Sequence, residues 1–136
     1  MASTRTAYIA LSLIALGMLP AGLQAAFAPR SFYDDFPLGR SWVSLEGAAY
    51  NEHLVRDVGG LFLALIVATA WTVWKRGPTT GIALAWLVQG VLHLAHHVRH
   101  LHGFSTADQV GLIISLVAVP ALALVALVSA RPSRGT

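Results

Sequence analysis

Five of the six histidines of this chain lie in one ten-residue window, residues 93–102. In a helix with 100° per residue, four of them share an arc of about 100°, and His102 points to the opposite side. Neutral imidazole is a ligand for zinc, copper and iron, and this spacing places several ring nitrogens on one face. The window therefore suggests, as one hypothesis, a transition-metal site whose candidate ligands are His93, His96, His97 and His100.

A second polar segment, residues 51–57, leads into an apolar run. His53 and Asp57 lie four residues apart and share a helical face, so both are candidate ligands of the same metal site. Asp108 follows a Ser-Thr pair that is typical of a helix start, and we expect it at the same level. The polar residues expected to surround the ligands in a pocket are Glu52, Arg56, Gln89 and Asp108.

The helical phase of both segments predicts which faces turn inward. Trp86 and Gln89 share the arc of the histidines, which predicts that this whole face points into a bundle. On the other segment, the face of His53 and Asp57 continues through residues spaced four apart. These residues are small and would allow another helix to approach closely, so we predict that this face also packs inward: Gly60, Ala64 and Ala68.

Three uses of the polar cluster stay open on the sequence alone. The first is a network of paired groups that organises the bundle. The second is a metal site, and the third is a proton-linked or small-ligand site. The metal would be zinc, copper or iron, and haem is the less favoured cofactor. His93, His96 and His97 match a histidine box of membrane desaturases and hydroxylases, which use several such boxes. A metal-dependent membrane oxidoreductase is therefore the alternative function.

The composition places this cluster in a membrane protein. Of 136 residues, 56% are hydrophobic and only 11% are charged, whereas soluble domains carry about 25% charged residues. This excludes a soluble enzyme and a disordered chain, and the absence of cysteine excludes disulfides and thiolate metal sites. We predict one all-α domain over residues 1–136, a four-transmembrane-helix bundle with a structured outer loop between helices 1 and 2. The expected spans are about 7–28, 54–74, 81–100 and 108–130.

The positions of lysine and arginine predict the orientation. Arg5, the Lys75-Arg76 pair and the residues after span four lie on one side if there are four spans, and Arg131 and Arg134 belong to this group. That side should be cytoplasmic, with both termini inside a bacterial cell membrane and the polar cluster outside. The nine basic residues form no stripe, so we expect membrane lipid and no nucleic acid as a partner. A homo-oligomer stays open.

The first span and the loop after it need separate expectations. The first span also resembles a secretory signal that ends at Ala28, but it is longer than a signal core and Pro29 follows it. We expect it to be retained as a helix. The loop at residues 29–57 contains five aromatic residues and turn residues, so we expect it to form a structured cap on the bundle.

Three stretches also resemble a family of small, uncharacterised, four-span bacterial membrane proteins. They read FYDDFP at residues 32–37, GRxWV at 39–43 and YNEHLVRDVG at 50–59, and the last is the most specific. The resemblance extends over about residues 29–108. It implies four spans, with histidine at the end of the third, and implies no particular chemistry.

Overall fold

The computed structural model describes residues 2–130, with side chains from residue 4 onward. This part of the chain forms six α-helices and no strand. Two of the helices are short and lie in the loop after the first long helix. In chain order the helices are α1 (Ala2–Phe27), α2 (Pro29–Asp35), α3 (Trp42–Leu45), α4 (Glu52–Trp74), α5 (Thr80–His97) and α6 (Thr106–Ser129). The fold is therefore all-helical, as predicted.

Among the described residues, three helices are long and apolar enough to cross a membrane: Thr4–Phe27 in α1, α4 and α6. The expectation of four spans is thus met only in part. The long helix that is not among these three is α5, which has 18 residues. Gln89 and three histidines lie within it and lower its mean hydropathy, so the polar residues that form the site weaken the sequence signal of a span.

The long helix α1 packs against both α4 and α6, while α5 packs mainly against α6 and has few contacts with α4. Helix α1 contributes much of the buried core through its small and branched residues, Ala7, Ala10, Leu11 and Ile14. These side chains form one buried cluster together with Phe62, Ala83, Trp86, Ala123 and Ala126. That the first span is retained stays a prediction.

One glycine sets the contact between α1 and α4. A Cβ atom on Gly59 would lie 2.3 Å from the backbone nitrogen of Ala26, so the two helix backbones are in direct contact there. A Cβ on the next residue, Gly60, would meet nothing within 4 Å. The predicted packing face of α4 was therefore wrong by one position, because its small residues are exposed: Gly60, Ala64 and Ala68. Lipid tails are as apolar as the protein interior, so hydrophobicity cannot tell these faces apart.

The inward face of α5 is as predicted for Trp86, Gln89, His93 and His97, but His96 and His100 of the predicted arc are exposed. Trp86 is completely buried, and its Nε1–H donates a hydrogen bond to Thr69 Oγ1 of α4 at 2.8 Å. One turn further along, a Cβ on Gly90 would lie 2.8 Å from Pro120 Cδ of α6, so these two helices also approach closely. These contacts hold α5 with His93 and His97 turned toward the bundle.

The helix α5 ends at His97, three residues before the predicted end of that span. The backbone N–H of His100 donates to the carbonyl of His97, and the His100 ring bonds the His96 carbonyl at 2.7 Å through Nδ1. The side chain thus occupies the carbonyl that would have continued the helix, a competition typical of polar residues at helix ends. His100 consequently lies in a turn.

The loop between α1 and α4 is ordered by its own contacts. Pro29 begins α2 without a backbone N–H to continue α1. The Tyr33 hydroxyl donates to the carbonyl of Ala48, and its ring lies 5.3 Å from that of Tyr50. A turn with a positive φ of 77° at Gly39 then reverses the chain before α3. The expected structured cap is present, and we call the end of the bundle that it covers the histidine end.

The opposite end of the bundle carries the basic turn between α4 and α5. The Tyr8 hydroxyl of α1 donates to the carbonyl of Gly77 at 3.1 Å, and the Arg76 guanidinium lies 5.5 Å from the Tyr8 ring. Lys75 packs over Trp74 at 4.0 Å. The start of α1 and the Lys75-Arg76 pair therefore share one end. Arg131 and Arg134, which we predicted on the same side, lie outside the described residues.

Candidate functional site

A cavity of about 630 Å³ lies between α1, α4, α5 and α6 and is covered by the loop at the histidine end. Its walls are mostly aliphatic and aromatic side chains, with Ile14 and Met18 from α1 and Phe62 from α4. Phe36 and Trp42 line it on the side that the loop covers. The polar side chains in its lining are Glu46, Gln89, His93, His96, His97 and Ser115.

Glu46, at the end of α3, brings a carboxylate to the histidines of α5. Its Oε1 contacts Nδ1 of His97, and its Oε2 lies 3.4 Å from Nε2 of His96. The side chains of Glu46 and His97 are only 14% and 15% exposed. Apart from this contact, neither of the two buried atoms has a hydrogen-bond partner among the described residues. A buried carboxylate is costly unless it is paired, so these histidines stabilise Glu46 and tie the loop to α5.

Two polar side chains lie deeper in the cavity than this pair. The His93 ring stands edge-on to His97, with ring centroids 4.5 Å apart, and faces Phe62 at 6.5 Å. Gln89 lies one helical turn before His93 in α5, and its Oε1 is buried without a hydrogen-bond partner in the described part of the chain. Buried polar atoms usually have partners, so a polar atom left alone beside a cavity indicates a place for a ligand or water.

Three of the predicted metal ligands do not line the cavity: His53, Asp57 and His100. His53 and Asp57 pair with each other at 3.3 Å on the outer surface of α4, where the His53 side chain is 88% exposed. The packing of Gly59 against α1 turns their face away from the bundle. His100 is exposed beyond the end of α5, with its ring stacked on His96 at 4.3 Å.

The predicted pocket residues Glu52 and Arg56 also lie outside the cavity, where they join helices. The Arg56 Nε–H donates a hydrogen bond to Glu52 Oε1 at 2.9 Å, and Nη1 donates one to the carbonyl of Ala26 at 2.7 Å. That carbonyl belongs to the last turn of α1, whose final carbonyls have no partners within the helix. Arg56 therefore fastens α4 to the end of α1.

Asp108 holds the loop to α6 instead of joining the pocket. Its Oδ1 accepts hydrogen bonds from Arg40 Nη1 at 2.5 Å and Trp42 Nε1 at 2.9 Å. Its Oδ2 accepts one from Ser105 at 2.6 Å, and the Asp108 backbone N–H donates to the same hydroxyl. The expected helix start is therefore confirmed, with Ser105 as N-cap. Of the four predicted pocket residues, only Gln89 lines the cavity.

Residues 4–130 contain no group of three or more histidine, aspartate or glutamate side chains arranged to hold a metal ion. The six predicted ligands are divided between the cavity, the surface of α4 and the turn after α5. The metal site therefore has no support from these side chains, and the residues that do come together are one carboxylate and neighbouring imidazoles that pair with it.

Glu46 pairs with the histidines of the site but was not among the residues predicted to form it. It lies four residues after Trp42 in a loop with no regular pattern, and only the fold brings it to the histidines of α5. The one available signal was the need of several inward imidazoles for a partner, since a buried polar face requires one.

Comparison of the chain with family models, curated proteins and solved structures finds no match. The resemblance to four-span bacterial proteins thus stays a prediction.

Proposed function

We propose that this protein is a four-span membrane protein whose cavity beneath the loop binds a small, mostly apolar molecule. The observation that carries the proposal is the cavity of about 630 Å³ beneath the loop. Ligand sites are typically of about 300–1,000 Å³, with apolar walls and a few polar groups that orient the ligand. Both features are present, since the polar groups are few and lie on α5 and the loop, apart from Ser115 of α6.

The fourth span of the proposal is α5. Its 18 residues extend about 27 Å at 1.5 Å per residue, close to the thickness of about 30 Å of a hydrocarbon core. It packs on α6, with a close approach at Gly90 and Pro120, and its short connection to α4 puts its beginning beside the end of that helix. Its least apolar residues are inward or near its end, so lipid would contact mainly its aliphatic face.

For orientation, we propose that the end with Arg5 and the Lys75-Arg76 pair is cytoplasmic, as the positive-inside rule predicts. Trp71 and Trp74 lie at that end beside Lys75 and are suited to a membrane interface. The loop with α2 and α3 would then face the outside. Reporter fusions after residue 134 and within residues 36–46 should give opposite sides, and a result with both on one side would contradict four spans.

Binding can be tested by purifying the protein in polymer-bounded lipid discs and identifying molecules that accompany it. Gly17 lines the cavity, and a Cβ there would meet nothing within 4 Å, so Gly17→Leu adds bulk where there is space. We expect wild-type protein to retain a small molecule that Gly17→Leu loses. The matched control is Gly60→Leu, which has the same open space on the outer face of α4 and should keep it.

The outcome that would contradict binding is equal content of small molecules in wild type and Gly17→Leu. The alternative of a metal-dependent oxidoreductase has no observation to carry it, because the described side chains form no metal-holding group.

A further inference from the structure

We infer that the ligand is a neutral amphiphile, an alcohol or phenol on an apolar body, whose hydroxyl group lies at Gln89 and His93. This inference rests on the proposed binding function and names the ligand class for the same cavity. It follows from which polar atoms of the lining already have partners and which do not.

Most polar groups of the lining are already engaged. The Ser115 hydroxyl donates to the carbonyl of Leu112 at 2.8 Å. Both carboxylate oxygens of Glu46 contact imidazoles, on His97 and His96. Within residues 4–130, neither Gln89 nor His93 has a hydrogen bond, although both lie on the cavity wall one helical turn apart. Gln89 and His93 are therefore the side chains of the lining that can hydrogen-bond to the polar group of a ligand.

The chemistry of these two side chains selects the polar group. A neutral imidazole offers one donor and one acceptor, and an amide offers both kinds. A hydroxyl group, which also donates and accepts, can bond to both side chains at once. An alkane would leave the buried Gln89 Oε1 without a partner, and this is costly for a buried polar group.

The charges nearby favour a neutral ligand. The Glu46 carboxylate contacts His97, whose ring is 4.5 Å from that of His93, so an anionic head group would lie near a second negative charge. A cationic head group would need a free carboxylate, and both oxygens of Glu46 are occupied. The remaining wall is apolar and suits a hydrocarbon body, with Phe62, Leu116, Val119 and Leu122 among its residues.

The test compares probes of equal chain length on the full-length protein: dodecanol, dodecane and dodecanoate. Occupancy is measured by native mass spectrometry of protein released from detergent micelles at about pH 8, where a free carboxylic acid is ionised. We expect dodecanol to bind about tenfold better than dodecane or dodecanoate, because it alone adds hydrogen bonds without charge.

Two variants assign this preference to the site. Gln89→Met and His93→Phe keep similar bulk but remove the hydrogen-bonding groups, and each should reduce the preference for dodecanol over dodecane severalfold. His102→Phe changes an exposed histidine outside the cavity and should leave the preference unchanged. Binding of dodecane by each variant shows that its cavity is still formed.

The outcomes separate the two proposals. Equal binding of dodecanol and dodecane by the wild type, or stronger binding of dodecanoate, overturns the hydroxyl inference and leaves a cavity for apolar ligands. Binding of none of the three probes overturns the proposed function itself. A preference for dodecanol that persists in both Gln89→Met and His93→Phe overturns the assigned position of the hydroxyl.

Discussion

The polar ends of α4 and α5 have similar residues at similar spacing, yet only one of them forms a site. On α4, His53 and Asp57 pair with each other across one turn, and both side chains are more than half exposed. On α5, His97 pairs with Glu46 from another element, and both side chains are largely buried. The difference lies in the partner, which is local on α4 and comes from the loop on α5.

This comparison shows that helical spacing alone does not predict a buried polar site. Two polar side chains four residues apart on one helix can pair with each other whichever way the helix is rotated. Such a pair stabilises the helix by only a few tenths of a kcal/mol. A polar side chain that another element covers loses water and depends on the partner provided there. The rotation of each helix decides which case applies, and close backbone contacts decide that rotation.

The largest expected effect comes from changing the rotation of α4. Gly59→Ala places a methyl group 2.3 Å from the backbone of α1, which the helix cannot avoid by a rotamer change. We expect the free energy of unfolding to fall by about 3 kcal/mol, the upper range for overpacking. Unfolding of the purified protein in mixed micelles, followed by circular dichroism, measures this.

The control for this variant is the neighbouring residue. Gly60→Ala adds the same group where nothing lies within 4 Å, and it should be neutral or stabilising by up to about 1 kcal/mol through helix propensity. Similar losses in both variants would mean that α4 is rotated differently, and that His53 and Asp57 have to be placed again.

A smaller effect is expected from removing the carboxylate on each side of the comparison. Glu46→Ala leaves the buried His97 without its partner, so we expect a loss of about 2 kcal/mol. Asp57→Ala removes only an exposed pair with His53 and should cost less than about 0.5 kcal/mol. Thermal unfolding in detergent compares the two variants. Equal costs would mean that the loop does not cover α5.

The smallest of the three effects tests the same contrast deeper in the bundle. Thr69→Val removes the acceptor of the buried Trp86 Nε1–H, and we expect a cost of about 1.5 kcal/mol. Thr72→Val, on the same helix, removes a hydroxyl that bonds only to the Ala68 carbonyl of its own helix, and it should cost clearly less. If Thr72→Val proved the costlier change, the inward face of α4 would be misassigned.

Much of the site's α5 side was predictable from helical phase. Trp86, Gln89, His93 and His97 share one arc, and the structure turns all four toward the interior. The corresponding prediction for α4 was wrong, because its small residues form an exposed face while Gly59 makes the close contact. In a membrane helix, both the packed and the lipid-facing sides are apolar, so the inward side has no distinct hydrophobic pattern.

The amino-acid sequence by itself determined the helical class, the positions of the long helices to within a few residues and the inward arc of α5. These depend on local properties: apolar run length, capping residues such as Ser105 and the repeat of the helix. Only the tertiary structure decided that Glu46 meets His97 and that Asp108 binds Arg40 and Trp42. Those partners are far apart in the chain, and the contacts exist only because the loop folds back over the packed helices.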